Sequence, residues 1–132
     1  MSSFLAAAGP LVGRVMLACI FAYSSYLKLF AATGRAVSSL AGKGIPFATL
    51  AAFGAGAFEL VVAVLLVTGL KTRLAAAAAI AYLVVVTWIF HWRPALRGDA
   101  AQMIQLMKNV GLAGGMLLVV CFGPGRASID RA

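Results

Sequence analysis

The stretch that decides the fold is FATLAAFGAGAFELVVAVLLVTG, residues 47–69. It contains one charged side chain, Glu59, and it matches the roughly 20 residues that an apolar α-helix needs to cross a bilayer. Three further apolar stretches of similar length flank it, at Pro10–Phe30, Leu74–His91 and Met103–Phe122. The sequence therefore predicts an all-α integral membrane four-helix bundle, with residues 1–132 forming a single domain.

The composition favours a membrane as the surroundings of this bundle. Of the 132 residues, 64% are hydrophobic and 11% are charged, whereas soluble domains have about 45–50% apolar and about 25% charged residues. The mean hydropathy of +1.04 demands more apolar burial than a 13.6 kDa protein finds in water. Membrane lipids are therefore the expected neighbours of its outer surface.

The net charge of +8 comes from 11 basic residues against 3 acids. The basic residues are spread singly between apolar runs and form no patch or arm, so we expect no nucleic-acid partner.

Four helices place both termini and the Lys71/Arg73 turn at one end of the bundle, here called the terminal end, and the two longer connections at the other, the loop end. Lys and Arg divide almost evenly between these ends. We expect cytoplasmic termini, because the charges there, including Arg131, lie in short segments, where the positive-inside rule is most reliable.

Glycine and proline mark where the helices should stop. The segment 42–46 should end the first connection and bring Pro46 to the first turn of the second helix. Pro94 should stop the third helix, because proline disfavours helical geometry at the preceding residue. Cys19 and Cys121 lie at depths that differ by about 12 Å at 1.5 Å per residue, so we expect no disulfide between them.

Glu59 is the single acid within a predicted span, about 18 Å along its helix and hence near mid-membrane. A carboxylate there costs roughly 2.5 kcal/mol or more unless it is protonated, is paired or faces a cavity. The candidate partners are Lys28, Lys108 and Arg14. We expect contact with a basic side chain of the first or fourth helix.

Further polar groups share helical stripes at the loop end: Ser24 with Lys28, Thr87 with His91, and Gln105 with Lys108 and Asn109. Two interpretations stay open. The stripes can form a polar pocket above Glu59 for a headgroup or a small polar substrate, or they can form structural hydrogen bonds that hold the helices together.

Most enzyme classes lack their motifs in this chain. One histidine cannot build a bis-histidine haem site or a histidine-rich metal site, so we expect no metal and no intrinsic cofactor. There is no glycine-rich nucleotide loop after a strand, and no nucleophile elbow. Any chemistry therefore needs a partner protein or a diffusible carrier.

The order of the polar and glycine motifs along nearly the whole chain resembles the DoxX family of small four-span membrane proteins. The matching elements are Arg14, Tyr23-Ser24-Ser25, Lys28-Leu29, Gly44-Ile45-Pro46, Glu59, Thr72-Arg73, Phe90-His91, Lys108-Asn109, Gly114-Gly115, Gly123-Pro124-Gly125-Arg126, Ser128 and Asp130. The main departure is Ser25, where the family usually has glycine. The resemblance implies a bacterial inner-membrane protein associated with redox chemistry, since related DoxD-type proteins are subunits of thiosulfate:quinone oxidoreductases.

The leading hypothesis is a membrane component of a quinone-linked oxidoreductase or redox complex. In it, Glu59 and His91 are the catalytic residues, while Lys28, Lys108, Asn109 and Arg14 bind the ligand. A quinone is the expected diffusible cofactor, and soluble or membrane redox subunits are the expected partners. The alternative is a non-catalytic accessory subunit that stabilises a larger complex. A small transporter is disfavoured because no span is broken, and a homo-oligomer stays open.

Overall fold

The computed structural model describes residues 2–130, which form four helical spans long and apolar enough to cross a membrane. The spans are Ser3–Ala31, Ala48–Thr68, Thr72–Leu96 and Ala100–Phe122. No strand occurs within residues 2–130. The predicted all-α membrane bundle of four spans is confirmed, whereas the assignment of the whole chain to one domain stays a prediction. Arg131, counted above among the basic residues of the terminal end, lies outside the described residues.

Two of the spans are composite, because each contains one π-helical turn. The elements in chain order are α1 (Ser3–Tyr26), the first π-turn (Leu27–Ala31), α2 (Thr33–Gly42), α3 (Ala48–Thr68), α4 (Thr72–Val86), the second π-turn (Thr87–His91), α5 (Trp92–Leu96) and α6 (Ala100–Phe122). A π-turn inserts an extra residue into a helix and is found frequently at functional sites. Both π-turns lie at the loop end, one in the first span and one in the third.

The first span begins earlier than predicted. The helix starts at Ser3, and Pro10 lies inside it, whereas the sequence pattern placed the start at Pro10. Three alanines, Ala6–Ala8, precede the proline, and alanine is the strongest helix former. Proline removes the hydrogen bond to the carbonyl four residues back, which belongs here to the exposed residue Ala6. The interruption therefore falls on the outermost turns of the span.

The expectation that Pro94 stops the third span is also wrong. The second π-turn ends at His91, and α5 restarts at Trp92, so that Pro94 lies in the first turn of a new helical segment. Proline is tolerated in a first turn because the amide hydrogen it lacks has no partner there. The span consequently continues to Leu96.

The connection between the first two spans contains a helix that the sequence analysis did not predict. After Ala32 leaves helical geometry, with φ −143° and ψ 34°, the chain resumes as α2 and packs against α3. Pro46 lies two residues before α3 rather than in its first turn. The α2 helix forms part of the cover of the loop end.

Small side chains fill much of the core between the spans. The buried apolar residues of the central cluster are Ala18, Phe21, Val62, Ala63, Leu66, Ala76, Ala79, Leu83 and Met116. Alanines allow the helix axes to approach closely. The outward-facing side chains are apolar as well, as at Leu60, Val84 and Leu118, which suits a lipid environment.

The chain after α6 folds back over the terminal end. Asp130 accepts hydrogen bonds from the backbone amides of Lys71 at 2.9 Å and Thr72 at 2.8 Å, so it caps the N-terminus of α4 from a distant part of the chain. These backbone hydrogen bonds hold the pKa of the Asp130 carboxyl below its usual value. The amides of Ile129 and Asp130 donate to the carbonyls of Thr68 and Gly69. The last described residues therefore fasten the turn between α3 and α4.

Candidate functional site

A pocket of about 550 Å³ opens between the spans at the loop end. All four spans and α2 contribute side chains to it, and both π-turns supply part of its lining. Most of the wall is apolar, as at Ile20, Leu83 and Leu112. Its volume lies in the range of about 300–1,000 Å³ that is usual for small-molecule sites.

Three buried or half-buried polar side chains meet in this pocket and form what we call the acid cluster: Lys28, Glu59 and Tyr82. The Nζ atom of Lys28 lies 3.0 Å from each carboxylate oxygen of Glu59. The Tyr82 hydroxyl donates to Glu59 Oε1 at 2.6 Å. Lys28 Nζ also donates to Ser24 Oγ at 2.6 Å. The predicted contact of Glu59 with a basic side chain is therefore confirmed, with Lys28 as the partner.

Glycine at position 56 brings the first span close to the acid cluster. A Cβ atom added there would lie 2.8 Å from Leu29 Cγ and 3.1 Å from Lys28 Cβ, closer than the packing of folded proteins allows. Gly56 lies on α3 almost one turn before Glu59, which is 3% exposed. The absence of a side chain at Gly56 therefore lets the π-turn that carries Lys28 pack against α3 beside the carboxylate.

A second pair of polar contacts joins the third span to α6. Asn109 Nδ2 donates to Thr87 Oγ1 at 3.0 Å, and His91 Nδ1 lies 2.6 Å from Gln102 Oε1. Because an amide oxygen accepts, Nδ1 of His91 carries the hydrogen and Nε2 remains an acceptor. Lys108 lines the same pocket but is exposed. Five of the six predicted site residues, Lys28, Glu59, His91, Lys108 and Asn109, thus line one cavity.

Arg14, the sixth predicted site residue, lies elsewhere. Its side chain is 1% exposed, and its Nη2 donates to the carbonyl oxygen of Ala127 in the chain that folds over the terminal end. Two other nitrogens, Nε and Nη1, have no hydrogen-bond acceptor within residues 2–130. Arg14 does not line the loop-end pocket, because the first span carries it to the opposite end of the bundle. Arg14 lines instead a second cavity, of about 620 Å³, between the first span and α6, and its role in ligand binding stays a prediction.

Sequence reasoning missed two residues that line the pocket, Tyr82 and Arg35, and also Gln102, which contacts the lining residue His91. Tyr82 follows a run of alanines in a span and carries no charge, so the pattern gave it no role. The available signal was its separation of 23 residues from Glu59. The two residues lie about equally far from the short turn between α3 and α4, so these antiparallel helices place them at similar depth. Gln102 was outside the predicted span. Arg35 belongs to α2, the helix that was not predicted.

No group of three or more His, Cys, Asp or Glu side chains that could hold a metal ion occurs within residues 2–130. Cys19 and Cys121 are free and exposed, so the expectation of unpaired thiols is confirmed. The donors in the pocket are instead ammonium, amide, hydroxyl and imidazole groups. Such groups suit hydrogen bonds to an organic ligand or an anion.

Comparisons with known proteins agree on the class of protein. The chain is 36% identical to the inner membrane protein YphA of Escherichia coli (strain K12) over 123 residues, which cover 92% of this chain and 87% of YphA. It is 29% identical to the inner membrane protein YqjF of the same organism over 127 residues, covering 93% of this chain and 90% of YqjF. No solved structure matches it. The DoxX family model matches residues 9–92, a range that includes the whole acid cluster, and the chain belongs to the DoxX family of membrane proteins.

Proposed function

We propose that the loop-end pocket binds the headgroup of a quinone and that the protein is the membrane component of a quinone-linked oxidoreductase or redox complex. The observation that carries this proposal is the acid cluster, a hydrogen-bonded Lys28–Glu59–Tyr82 group at the polar part of an otherwise apolar cavity between membrane helices. A quinone has two carbonyl oxygens that accept hydrogen bonds and an apolar tail. The pocket offers donors for the first and an apolar wall for the second.

The residues divide into donors and proton carriers. Lys28, Lys108 and Asn109 supply N–H donors for carbonyl oxygens. Glu59 and His91 exchange protons, because reduction of a quinone to a quinol takes up two electrons and two protons. Glu59 is joined to Tyr82 and Lys28 by hydrogen bonds, a chain along which a proton can pass. The electrons would come from a soluble or membrane partner subunit that carries a flavin, haem or iron–sulfur centre.

The first test is binding. The protein is purified in mild detergent, and bound quinone is measured by solvent extraction and mass spectrometry and then by titration with a soluble quinone analogue. We expect saturable binding of one quinone. The double variant Lys28→Met/Glu59→Leu removes the charged donors while keeping apolar bulk, and it should weaken binding at least about tenfold, the effect of losing a charge-assisted hydrogen bond. Binding that is unchanged in this variant would remove the proposal.

The second test separates catalysis from assembly. Complexes purified through the tagged protein are assayed for quinone reduction with the Glu59→Gln variant and with the matched control Asp99→Asn. Asp99 is an acid of the same end, but it caps α6 instead of lining the pocket. Glutamine keeps the shape of Glu59 but cannot carry a proton, so turnover should be lost in Glu59→Gln alone, with the complex intact.

A second candidate function is a non-catalytic accessory subunit. The favouring observation is that the polar groups of the pocket already bond to one another, as in the acid cluster and the Asn109–Thr87 pair. Hydrogen bonds that are already complete can have a purely structural role and hold the spans together. In that case Glu59→Gln would release the partner proteins from the complex, whereas the quinone site predicts that the partners stay bound while turnover stops.

We also propose a cytoplasmic location for both termini. Cysteines placed at Ser2 and Lys43, in a background without Cys19 and Cys121, should then react with an impermeant maleimide from opposite sides of the membrane. Ser2 is expected to be protected in intact cells and Lys43 to be labelled. The reverse pattern would invert the orientation, and labelling of both positions from one side would show that the first span, Ser3–Ala31, does not cross the membrane.

A further inference from the structure

The lining of the loop-end pocket carries more positive than negative charge. Lys28, Arg35 and Lys108 line it against a single carboxylate, that of Glu59. Lys28 and Glu59 are paired at 3.0 Å and so balance one another. No other ion pair within 4.0 Å occurs in residues 2–130. Two cations, those of Arg35 and Lys108, therefore remain without a carboxylate partner in the described chain.

The two remaining acids of the chain do not neutralise these cations. Asp99 accepts a hydrogen bond from the Gln102 amide at the start of α6 and does not line the pocket. Asp130 is bound to the turn before α4 at the terminal end. Within residues 2–130, no carboxylate therefore pairs with Arg35 or Lys108.

Arg35 and Lys108 belong to different elements, α2 and α6, and both are exposed. We call these two residues the cationic pair: both line the pocket and are exposed, whereas Glu59 of the acid cluster is buried. A guanidinium binds phosphate oxygens through two parallel hydrogen bonds, and an ammonium adds a compact charge. A phosphate group is the anion that suits such a pair at a membrane surface.

Much of the same pocket is lined by apolar side chains. Leu27, Leu40, Val86 and Ile89 are among them. The ligand that satisfies both features has an anionic head and a hydrocarbon chain. The surrounding membrane supplies such molecules at high local concentration.

We propose that the pocket binds an anionic phospholipid, with its phosphate between Arg35 and Lys108 at the opening and an acyl chain along the apolar wall. This inference rests on the proposed function only in that the same cavity accepts an amphiphile. It differs in the head that is recognised, an anionic phosphate instead of a neutral carbonyl, and in the use of Arg35, whereas Lys108 belongs to both sites.

The test is native mass spectrometry of the purified protein exchanged with an equal mixture of phosphatidylglycerol and phosphatidylcholine. We expect one phosphatidylglycerol to be retained in preference to phosphatidylcholine. The variant Arg35→Gln/Lys108→Gln should lower the affinity for phosphatidylglycerol at least about tenfold, because it removes two charge-assisted contacts. The charge-conserving variant Arg35→Lys/Lys108→Arg should keep most of the affinity.

A matched control removes the same charge from the same end of the bundle. Lys43 and Arg97 are exposed and do not line the pocket, so Lys43→Gln/Arg97→Gln should leave the preference unchanged. An equal loss in this control would show that the lipid responds to the general charge of the face, and it would overturn the proposal. Retention of phosphatidylcholine as strongly as phosphatidylglycerol would overturn it too.

Two further experiments are needed. One distinguishes a lipid phosphate from inorganic phosphate, and the other distinguishes lipid binding from the proposed quinone binding. Displacement of phosphatidylglycerol by millimolar inorganic phosphate would indicate a site for a soluble anion and would contradict the lipid. A soluble quinone analogue tests the proposed function on the single variant Arg35→Gln, because Arg35 has no role in the proposed quinone site. Loss of lipid but not quinone binding in Arg35→Gln supports the lipid site, whereas a protein that binds phosphatidylglycerol but no quinone leaves this inference standing without the proposed function.

Discussion

Each end of the bundle contains a largely buried cation, but the two cations have different partners. At the loop end, Lys28 is 24% exposed and is paired with Glu59, an acid from inside a neighbouring span. At the terminal end, Arg14 is 1% exposed and bonds to a backbone carbonyl of the folded-back chain, with Asp130 nearby in the same segment. The loop end keeps a cavity of about 550 Å³ beside its ion pair, whereas the folded-back chain covers the guanidinium at the terminal end.

This difference separates a site from a support. The terminal end has a cavity too, of about 620 Å³, but among the described residues Arg14 is the one polar side chain that lines it. Several polar side chains line the loop-end pocket, including the Lys28–Glu59 ion pair, and ionisable groups that face a cavity within a membrane often mark ligand pathways. Both π-turns lie at the open end, and π-turns are found frequently at functional sites. We therefore propose that ligand binding takes place at the loop end and that the terminal end has a structural role.

The largest expected effect would break the ion pair of the loop end. Glu59→Leu leaves the Lys28 ammonium without a counter-ion, and breaking a buried pair in this way costs about 3 kcal/mol or more. Glu59→Gln should cost clearly less, because its amide oxygen still accepts from Lys28. The measurement is the free energy of unfolding in detergent micelles. The double variant Lys28→Met/Glu59→Leu should recover much of the loss, and a double variant as unstable as Glu59→Leu would show that the pair is not the cause.

The next effect tests how tightly the terminal end is closed. Gly69 has φ +72°, and a Cβ atom there would collide with Arg14 Nη1 and with Ser128. We expect Gly69→Ala to lower the free energy of unfolding by about 2 kcal/mol or more, from backbone strain and overpacking together. Gly111→Ala, at a helical glycine with open space around it, should be neutral or stabilise by up to about 1 kcal/mol. Similar values for the two variants would mean that the terminal end is not packed around Arg14.

A smaller effect concerns the hydroxyl of Tyr82. Tyr82→Phe removes the 2.6 Å hydrogen bond to Glu59 and should reduce stability by about 1 kcal/mol. Tyr23→Phe is the matched control, since Tyr23 is 61% exposed. If Tyr82 belongs to the proton path, Tyr82→Phe should also slow quinone reduction while Tyr23→Phe does not. Equal turnover in both would limit Tyr82 to a structural role.

The smallest effect on global stability is expected at Asp130. Because its pKa is lowered by hydrogen bonds from the amides of Thr72 and Lys71, its contribution is complete above the usual carboxyl range, near pH 3.8, and is lost as the pH falls through the lowered pKa. Acid should therefore open the folded-back chain before the spans separate. Hydrogen exchange at the amide of Thr72 measures this opening. Asp130→Ala should expose the amide at every pH, whereas Asp130→Asn should retain part of the cap.

The buried charges were predictable from the sequence because a charge in a membrane span is costly wherever it lies. Glu59 needed a partner, and Lys28 was within reach by helix-rise arithmetic. Tyr82 was not predicted, because a tyrosine in an apolar run can pack in the core, lie at the membrane interface or donate a hydrogen bond. The helix bounds predicted from Pro10 and Pro94 were wrong, because the free-energy cost of a proline in a helix depends on whether the missing backbone hydrogen bond is needed at that position. The position of Arg14 depended on a tail that no pattern in the first span describes.

The folded-back tail has a consequence for the order in which the molecule is completed. Ala127, whose carbonyl accepts from Arg14, follows it by 113 residues. A chain made from its N-terminus therefore has an uncovered cation in its first span until Ala127 has been made. The cap of α4 depends on the same late residues, because Asp130 supplies it. Closure of the terminal end thus requires residues 127–130, and a chain truncated before them keeps an uncovered charge within a membrane helix.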